Sequence, residues 1–195
     1  MASMPVTMGG GIATADDLLA ASDLGPCELV RGEIVMMSPA GFEHGVITQR
    51  VAALLHAFAS QRGLGVVTAA ETGFLLSRSP DTVRAPDVAF VSASRIPRGR
   101  IVGYFEGAPD LAVEVLSPTD LHDAAARARA AAKLDGWLEA GCREVWGIDP
   151  SSRTVTLHHP AAPDALLHET DALTSLTLSG LTIAIAEIFQ PGERL

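Results

Sequence analysis

A glutamate in the middle of an apolar run needs a partner. In DLAVEVL, residues 110–116, Glu114 is flanked by Val113 and Val115, and an ionised carboxylate buried without compensation costs several kcal/mol. It must be paired, metal-bound, neutral or aimed into a cleft. A buried ion pair with an arginine accounts for it as well as a functional role does. Asp87 opens a second apolar stretch, PDVAFV, directly after Pro86. Alone, an aspartate there is most simply a turn residue bonding its own backbone. The two together say more, because carboxylates on adjacent strands can converge on one divalent cation. Mg²⁺ takes one or two carboxylates and completes its shell with water and substrate phosphate oxygens.

The basic residues carry a second signal. Of 14, Lys133 is the only lysine; the rest are arginine, and asparagine is absent. An ordinary lysine is a solvated helix residue or half of an ion pair. A lone lysine among arginines points to something a guanidinium cannot do. A compact ammonium can orient a water or share a proton with it, and its pKa can fall on burial, whereas a guanidinium keeps its charge with a pKa above about 12.

These three side chains must be delivered by separate elements. Thr14, with Asp17 three residues on, predicts an N-cap and a short helix to about Ala21, ended by Gly25 and Pro26. ELVRGEIVMMS, residues 28–38, predicts a β-hairpin turning at Arg31 and Gly32. Val46, Ile47, Val51, Leu54, Leu55 and Phe58 recur at helical spacing between about Phe42 and Arg62, marking a helix packed on a sheet. Strands are expected at 65–68, 72–76 and 87–91, then a loop through SASRIPRGRIVG, then a doubly buried strand at 110–116. The Ala- and Arg-rich segment from Asp120 to Ala140, with Gly141 after it, predicts one long helix. REVWGIDP and TVTLHH read as strands, and two short apolar elements follow before the end. His158 and His159 are neighbours on one of these strands, so they face opposite ways and cannot share a metal.

Composition bounds the rest. With 195 residues, 48% hydrophobic, 19% charged and 5% aromatic, the chain matches an α/β or α+β domain that buries roughly 70% of its unfolded surface. It needs neither disulfides nor a structural metal to fold. Cys27 and Cys142 make no disulfide framework and no C-x-x-C zinc pair. Neither a membrane-length apolar run nor the charged start and apolar stretch of a signal peptide is seen. A reducing cytoplasm is therefore the expected compartment. The net charge of −9 opposes tight non-specific binding to phosphate backbones. No repeat or linker divides the chain, so the expectation is a tail over 1–12, one domain over 13–190, and a second tail over 191–195.

Four blocks, taken in order, resemble a known family. ELVRGEIVMMSP followed by His44, RAPDVAFVS, GAPDLAVEVLSP, and KLDGWLEAGCREVWGIDP beginning at Lys133 together resemble the Uma-two family of restriction-endonuclease-like proteins. The resemblance runs from about Thr14 to Phe189. Two positions depart from the family pattern. Trp137 stands where the helix usually shows Tyr, and Cys27 occupies a usually aromatic position. Related nucleases carry a lysine two residues after the glutamate, where this chain has Leu116. In the Uma-two pattern the lysine comes from the following helix, and Lys133 falls at that place.

The resemblance implies an α/β restriction-endonuclease-like fold, with a central mixed β-sheet flanked by α-helices, and metal-dependent hydrolysis of phosphodiester bonds in DNA. Asp87 and Glu114, helped by the backbone carbonyl of Val115, would hold Mg²⁺ or Mn²⁺, and Lys133 would orient water or meet the charge of the transition state. Glu28, Glu33 and His44 match family positions. Glu28 is a further metal ligand, a hydrogen-bond partner, or a solvent-exposed hairpin residue. His44 either contacts phosphate or a metal-bound water, or only caps its helix or makes a satisfied hydrogen bond. Arg95, Arg98 and Arg100 in one loop, and Arg127 and Arg129 on the long helix, are candidate phosphate contacts or simply solvated charge. A homodimer would suit cleavage of two strands. The rival reading is a non-catalytic binding or assembly module on the same fold, favoured by the acidic charge. A third is metal-dependent hydrolysis of a smaller phosphorylated substrate.

Overall fold

The computed structural model describes residues 5–6, 13–21, 24–69 and 72–190. The chain enters through β1 (Pro5–Val6) and α1 (Ala15–Ala20). Thr14 caps α1, and Asp17 returns the bond to the Thr14 backbone. β2 (Cys27–Val30) and β3 (Glu33–Met36) form the expected hairpin. Its two-residue turn places Arg31 and Gly32 both at positive φ, the conformation that matches the strands' twist and that glycine adopts without strain. Then come α2 (Phe42–Gln61), β4 (Gly65–Ala69), β5 (Phe74–Ser77), β6 (Thr82–Arg84), β7 (Val88–Ser92), β8 (Phe105–Glu106) and β9 (Leu111–Val115). The second half holds α3 (Pro118–Leu121), α4 (Ala124–Glu139), β10 (Glu144–Asp149), β11 (Thr154–His159), β12 (Ala162–Leu167), β13 (Ala172–Thr174), β14 (Thr182–Ala184) and α5 (Ile185–Phe189).

Two six-stranded sheets result, and the mixed sheet expected at the centre is the one that carries β9. One runs β1-β3-β2-β6-β5-β8 and the other β12-β11-β10-β9-β7-β4, with β13 and β14 as a separate pair. In the second sheet β9 and β10 are parallel while the other neighbours are antiparallel, so it is mixed as expected. β9 is covered on both faces. Leu111, Val113 and Val115 belong to a core with Ile47, Val51 and Leu55 of α2 and Ile185 and Ile188 of α5. Ala112 faces the other way, into a core with Leu134 and Trp137 of α4.

Some boundaries differ from the sequence reading. The long helix is two, because Ser117 and Asp123 are both N-caps. The Asp120 carboxylate accepts the Ser117 N–H at 2.8 Å to start α3, and the Asp123 carboxylate accepts from the Ala126 N–H at 2.7 Å to start α4. The strands β6, β8 and β12 lack a readable signal. β6 and β8 are too short for alternation, and β12 is an exposed edge strand containing Pro163, recruited by pairing with β11. Most of the expected N-terminal tail, and all of the C-terminal one, lie outside the described residues. Pro5 and Val6 within the former pair with β3. Among the described residues, no helix is long and apolar enough to cross a membrane.

Candidate active site

Strand alternation determines which side chains can meet. In β9 the α4-facing positions are Ala112 and Glu114; in β7 they are Ala89 and Val91. The β7–β9 register pairs Val88 with Val113 and Ala89 with Ala112. Asp87, one residue before β7, lines the same cleft as Glu114. The carboxylate of Asp87 also accepts the Val115 N–H on Oδ2 at 2.7 Å.

Helix α4 brings two donors to Glu114. Lys133 Nζ donates to Oε2 at 2.8 Å, and Trp137 Nε1 donates to Oε1 at 2.8 Å. Residues four apart lie on one helix face, so a single helix reaches both oxygens. Gly147, which pairs with Glu114 in register on β10, lies close under α4; a Cβ there would stand 3.1 Å from Leu134 Cδ1. The partner of the buried glutamate is thus a lysine, where an arginine had been the alternative.

Glu28 arrives from the other sheet and is buried, contrary to a solvent-exposed hairpin residue. Its Oε1 accepts the Ala85 N–H at 3.1 Å and lies 3.4 Å from Lys133 Nζ, while Oε2 is 3.8 Å from Arg84 Nη1. Lys133 therefore bridges a carboxylate of each sheet. The short link from β6 to β7, Ala85–Asp87, ties the two sheets beside it. From α2, His44 Nε2 lies 3.3 Å from Asp87 Oδ2, with Nδ1 3.4 Å from Thr48 Oγ1. Glu33, by contrast, is exposed.

Burial pushes the Glu114 carboxyl up to about 7, aided by the charges of Asp87 and Glu28 and opposed by Lys133. Burial alone would lower Lys133, but Glu114 and Glu28 outweigh it and raise its pKa. The shift of Lys133 is therefore upward, opposite to what burial alone would give. The hydrogen bond to Asp87 raises His44 above its ordinary value against the effect of burial.

These groups line one cleft of about 1420 Å³, together with Arg84, Arg129 and Tyr104. The other candidate arginines lie elsewhere. Arg95 bonds the Ala108 carbonyl at 2.6 Å and sits 3.2 Å from Asp110. Arg98 and Arg100 are exposed outside the cleft, and Arg127 lines a smaller groove on another side of α4.

Among the described residues, no three His, Cys, Asp or Glu side chains gather as an all-protein metal cage. The donor chemistry still suits a hard cation. Two carboxylates line one cleft, the charge of Asp87 helps raise Glu114, and Mg²⁺ needs only one or two such carboxylates.

Residues 16–186 match the Uma2 family, described as "Putative restriction endonuclease". The chain belongs to the Uma2 family. A solved structure described as a putative nuclease belonging to DUF820, from Anabaena variabilis, shares the fold. Its TM-score is 0.77 at 22% identity, over 90% of this chain and 97% of that one. The restriction-endonuclease-like α/β fold expected from the sequence is therefore established. A search of curated proteins finds no match. Family and fold together support nuclease chemistry for this Uma2 chain. Two members of its cluster, Trp137 and Arg84, carry no local signal of their partners. Trp137 was visible as the residue four after Lys133, and Arg84 as part of the RAPD block, but neither spacing says which carboxylate they serve.

Proposed function

We propose that the cleft hydrolyses phosphodiester bonds in DNA with Mg²⁺ or Mn²⁺. The observation that carries this reading is the convergence of Asp87, Glu114 and the chain's only lysine in one cleft. Asp87, Glu114 and the Val115 carbonyl would hold the ion. A divalent cation supplies Lewis acidity toward a phosphoryl oxygen and acidifies an attacking water.

The chain's own groups supply the rest. Lys133, held charged by Glu114 and Glu28, is a hydrogen-bond donor to phosphate oxygens rather than a base, and offsets the negative charge that grows in the transition state. Trp137 fixes the other oxygen of Glu114. His44 and the Val115 N–H orient Asp87.

The test is nicking of supercoiled plasmid at low salt, with Mg²⁺ or Mn²⁺ added or chelated, by wild type, Glu114→Ala and Lys133→Arg. Metal-dependent nicking by wild type, lost in both variants, is expected. Nicking that survives Glu114→Ala would place the chemistry elsewhere or in a contaminant. No nicking by wild type with either metal would favour the binding-module alternative, which the net charge of −9 already suits.

A further inference from the structure

Glu28 lines the cleft as a buried carboxylate, although a glutamate in a hairpin ordinarily lies in water. All of its close polar partners are donors. The Ala85 N–H bonds Oε1 at 3.1 Å, Lys133 Nζ lies 3.4 Å from the same oxygen, and Arg84 stands 3.8 Å from Oε2. Among the described residues no three acidic, histidine or cysteine side chains gather closely enough to share an ion. Glu28 is therefore not placed to join Asp87 and Glu114 on one cation, and what it faces instead is the ammonium of Lys133.

Lys133 is bonded to one carboxylate and within reach of the other. Its ammonium donates to Glu114 Oε2 at 2.8 Å, while the indole of Trp137 donates to Oε1 at 2.8 Å. A cation taken up by Glu114 must share the carboxylate with these two donors. The neutral indole raises no conflict. The ammonium does, because two positive charges on one carboxylate repel each other, and a partly buried cleft screens them less than bulk water. Lys133 is 25% exposed and hangs on a flexible four-carbon stem, so its head group can move. Glu28, on the other sheet, is the neighbouring carboxylate that the ion does not need.

We propose that Glu28 is a second seat for the Lys133 ammonium: as Asp87 and Glu114 take up a divalent cation, Lys133 passes from Glu114 Oε2 to Glu28 Oε1 and stays in the cleft. This rests on the metal-dependent phosphodiesterase reading and adds a positioning residue to it. Glu28 acts through Lys133 and touches neither the ion nor the phosphate. Without its carboxylate the ammonium either stays on Glu114, in competition with the ion, or leaves for solvent.

Lys133 is the chain's only lysine, so the full chain labelled with ¹⁵N at the lysine side chain gives one ammonium resonance. Titration with diamagnetic Mg²⁺ should shift that resonance and leave it visible, because the ammonium exchanges one carboxylate for another. In Glu28→Gln, whose amide oxygen can still accept the Ala85 N–H, the same titration should broaden it away through exchange with water or leave it unshifted. A wild-type resonance that does not move at saturating Mg²⁺, or that vanishes, overturns the proposal, as does a Glu28→Gln response equal to that of wild type. The wild-type titration decides even if Glu28→Gln does not fold. Calorimetric titration with Mn²⁺ gives a second readout, again without cleavage. Glu28→Gln should bind about tenfold more weakly than wild type, and Lys133→Met at least as tightly. In the Lys133→Met background, Glu28→Gln should change the affinity by no more than about twofold. A tenfold loss that persists there would make Glu28 a ligand or a plain source of charge; it would sink this assignment and leave the phosphodiesterase reading standing. Failure of wild type to bind either cation would instead sink the metal-dependent reading, and this one with it.

Discussion

The indole N–H of Trp137 donates to Oε1 of Glu114 at 2.8 Å, between two groups that both lie in the interior. With Lys133 on Oε2, α4 satisfies both oxygens of a carboxylate that would otherwise be costly on a buried strand. The same two bonds fix the rotamer of Glu114, so the stability of this strand–helix contact and the geometry of the cleft are one feature.

Trp137→Phe tests that coupling. It keeps an aromatic ring against Phe74 but removes the donor, leaving a buried oxygen unpaired at a cost of about 1–3 kcal/mol. The unfolding free energy in urea should fall by that amount, read as a lower midpoint at an unchanged slope. Cleavage should also fall, because Glu114 loses its orientation; full activity in the folded variant would show that Lys133 alone positions the carboxylate.

Stability without metal should fall as pH rises from about 5 to 8. Glu114 is raised from its ordinary 4.5 to about 7, so the folded protein binds more protons than the unfolded chain between those values, and ionisation works against folding. The effect is on the order of 3 kcal/mol if the shift is fully expressed. His44, raised above 6.5, adds stability that is present below 6.5 and lost as pH passes its folded value, so the two slopes have the same sign. Denaturant unfolding in chelator across this range should show the decline, and Glu114→Gln should flatten its lower part. A slope unaffected by Glu114→Gln would contradict the raised carboxyl.

The arginines should separate by location. Asp110 is buried and accepts the Ser92 N–H at 2.8 Å beside Arg95, so Arg95→Ala should cost about 1–3 kcal/mol and leave kcat and KM of the folded protein intact. Arg98→Ala and Arg100→Ala should change stability by no more than about 0.5 kcal/mol. Arg129→Ala should raise KM for an oligonucleotide. A KM effect confined to Arg98 and Arg100 would move strand binding out of the cleft.

Glu144 offers a control remote from the chemistry. It is fully buried, and its carboxylate accepts from Trp146 Nε1 at 2.7 Å, Ser175 Oγ at 2.7 Å and the Thr177 N–H at 2.8 Å. Glu144→Gln must put an amide N–H against one of these donors, and a loss of about 1–3 kcal/mol is expected. Thermal or urea unfolding reads that loss, and nicking by the folded variant should match wild type.

How much was legible in the sequence depended on the range of the signal. Glu114 within LAVEV, the isolated Lys133 and the order of the blocks are local facts, and they carried the family, the fold and the three central residues. The hairpin at Arg31 and Gly32 and the helix from Phe42 were legible for the same reason, because turn chemistry and periodicity act over a few residues. Only the tertiary structure decided partners. Lys133 meets Glu114 and Glu28 because α4 packs over Gly147 and because the Ala85–Asp87 link brings one sheet against the other. Arg95 turns to Asp110, and Arg127 lies outside the main cleft, for reasons of packing that no spacing along the chain records. Residue type states that a buried charge needs a partner; which partner it finds is set by contacts between segments far apart in sequence.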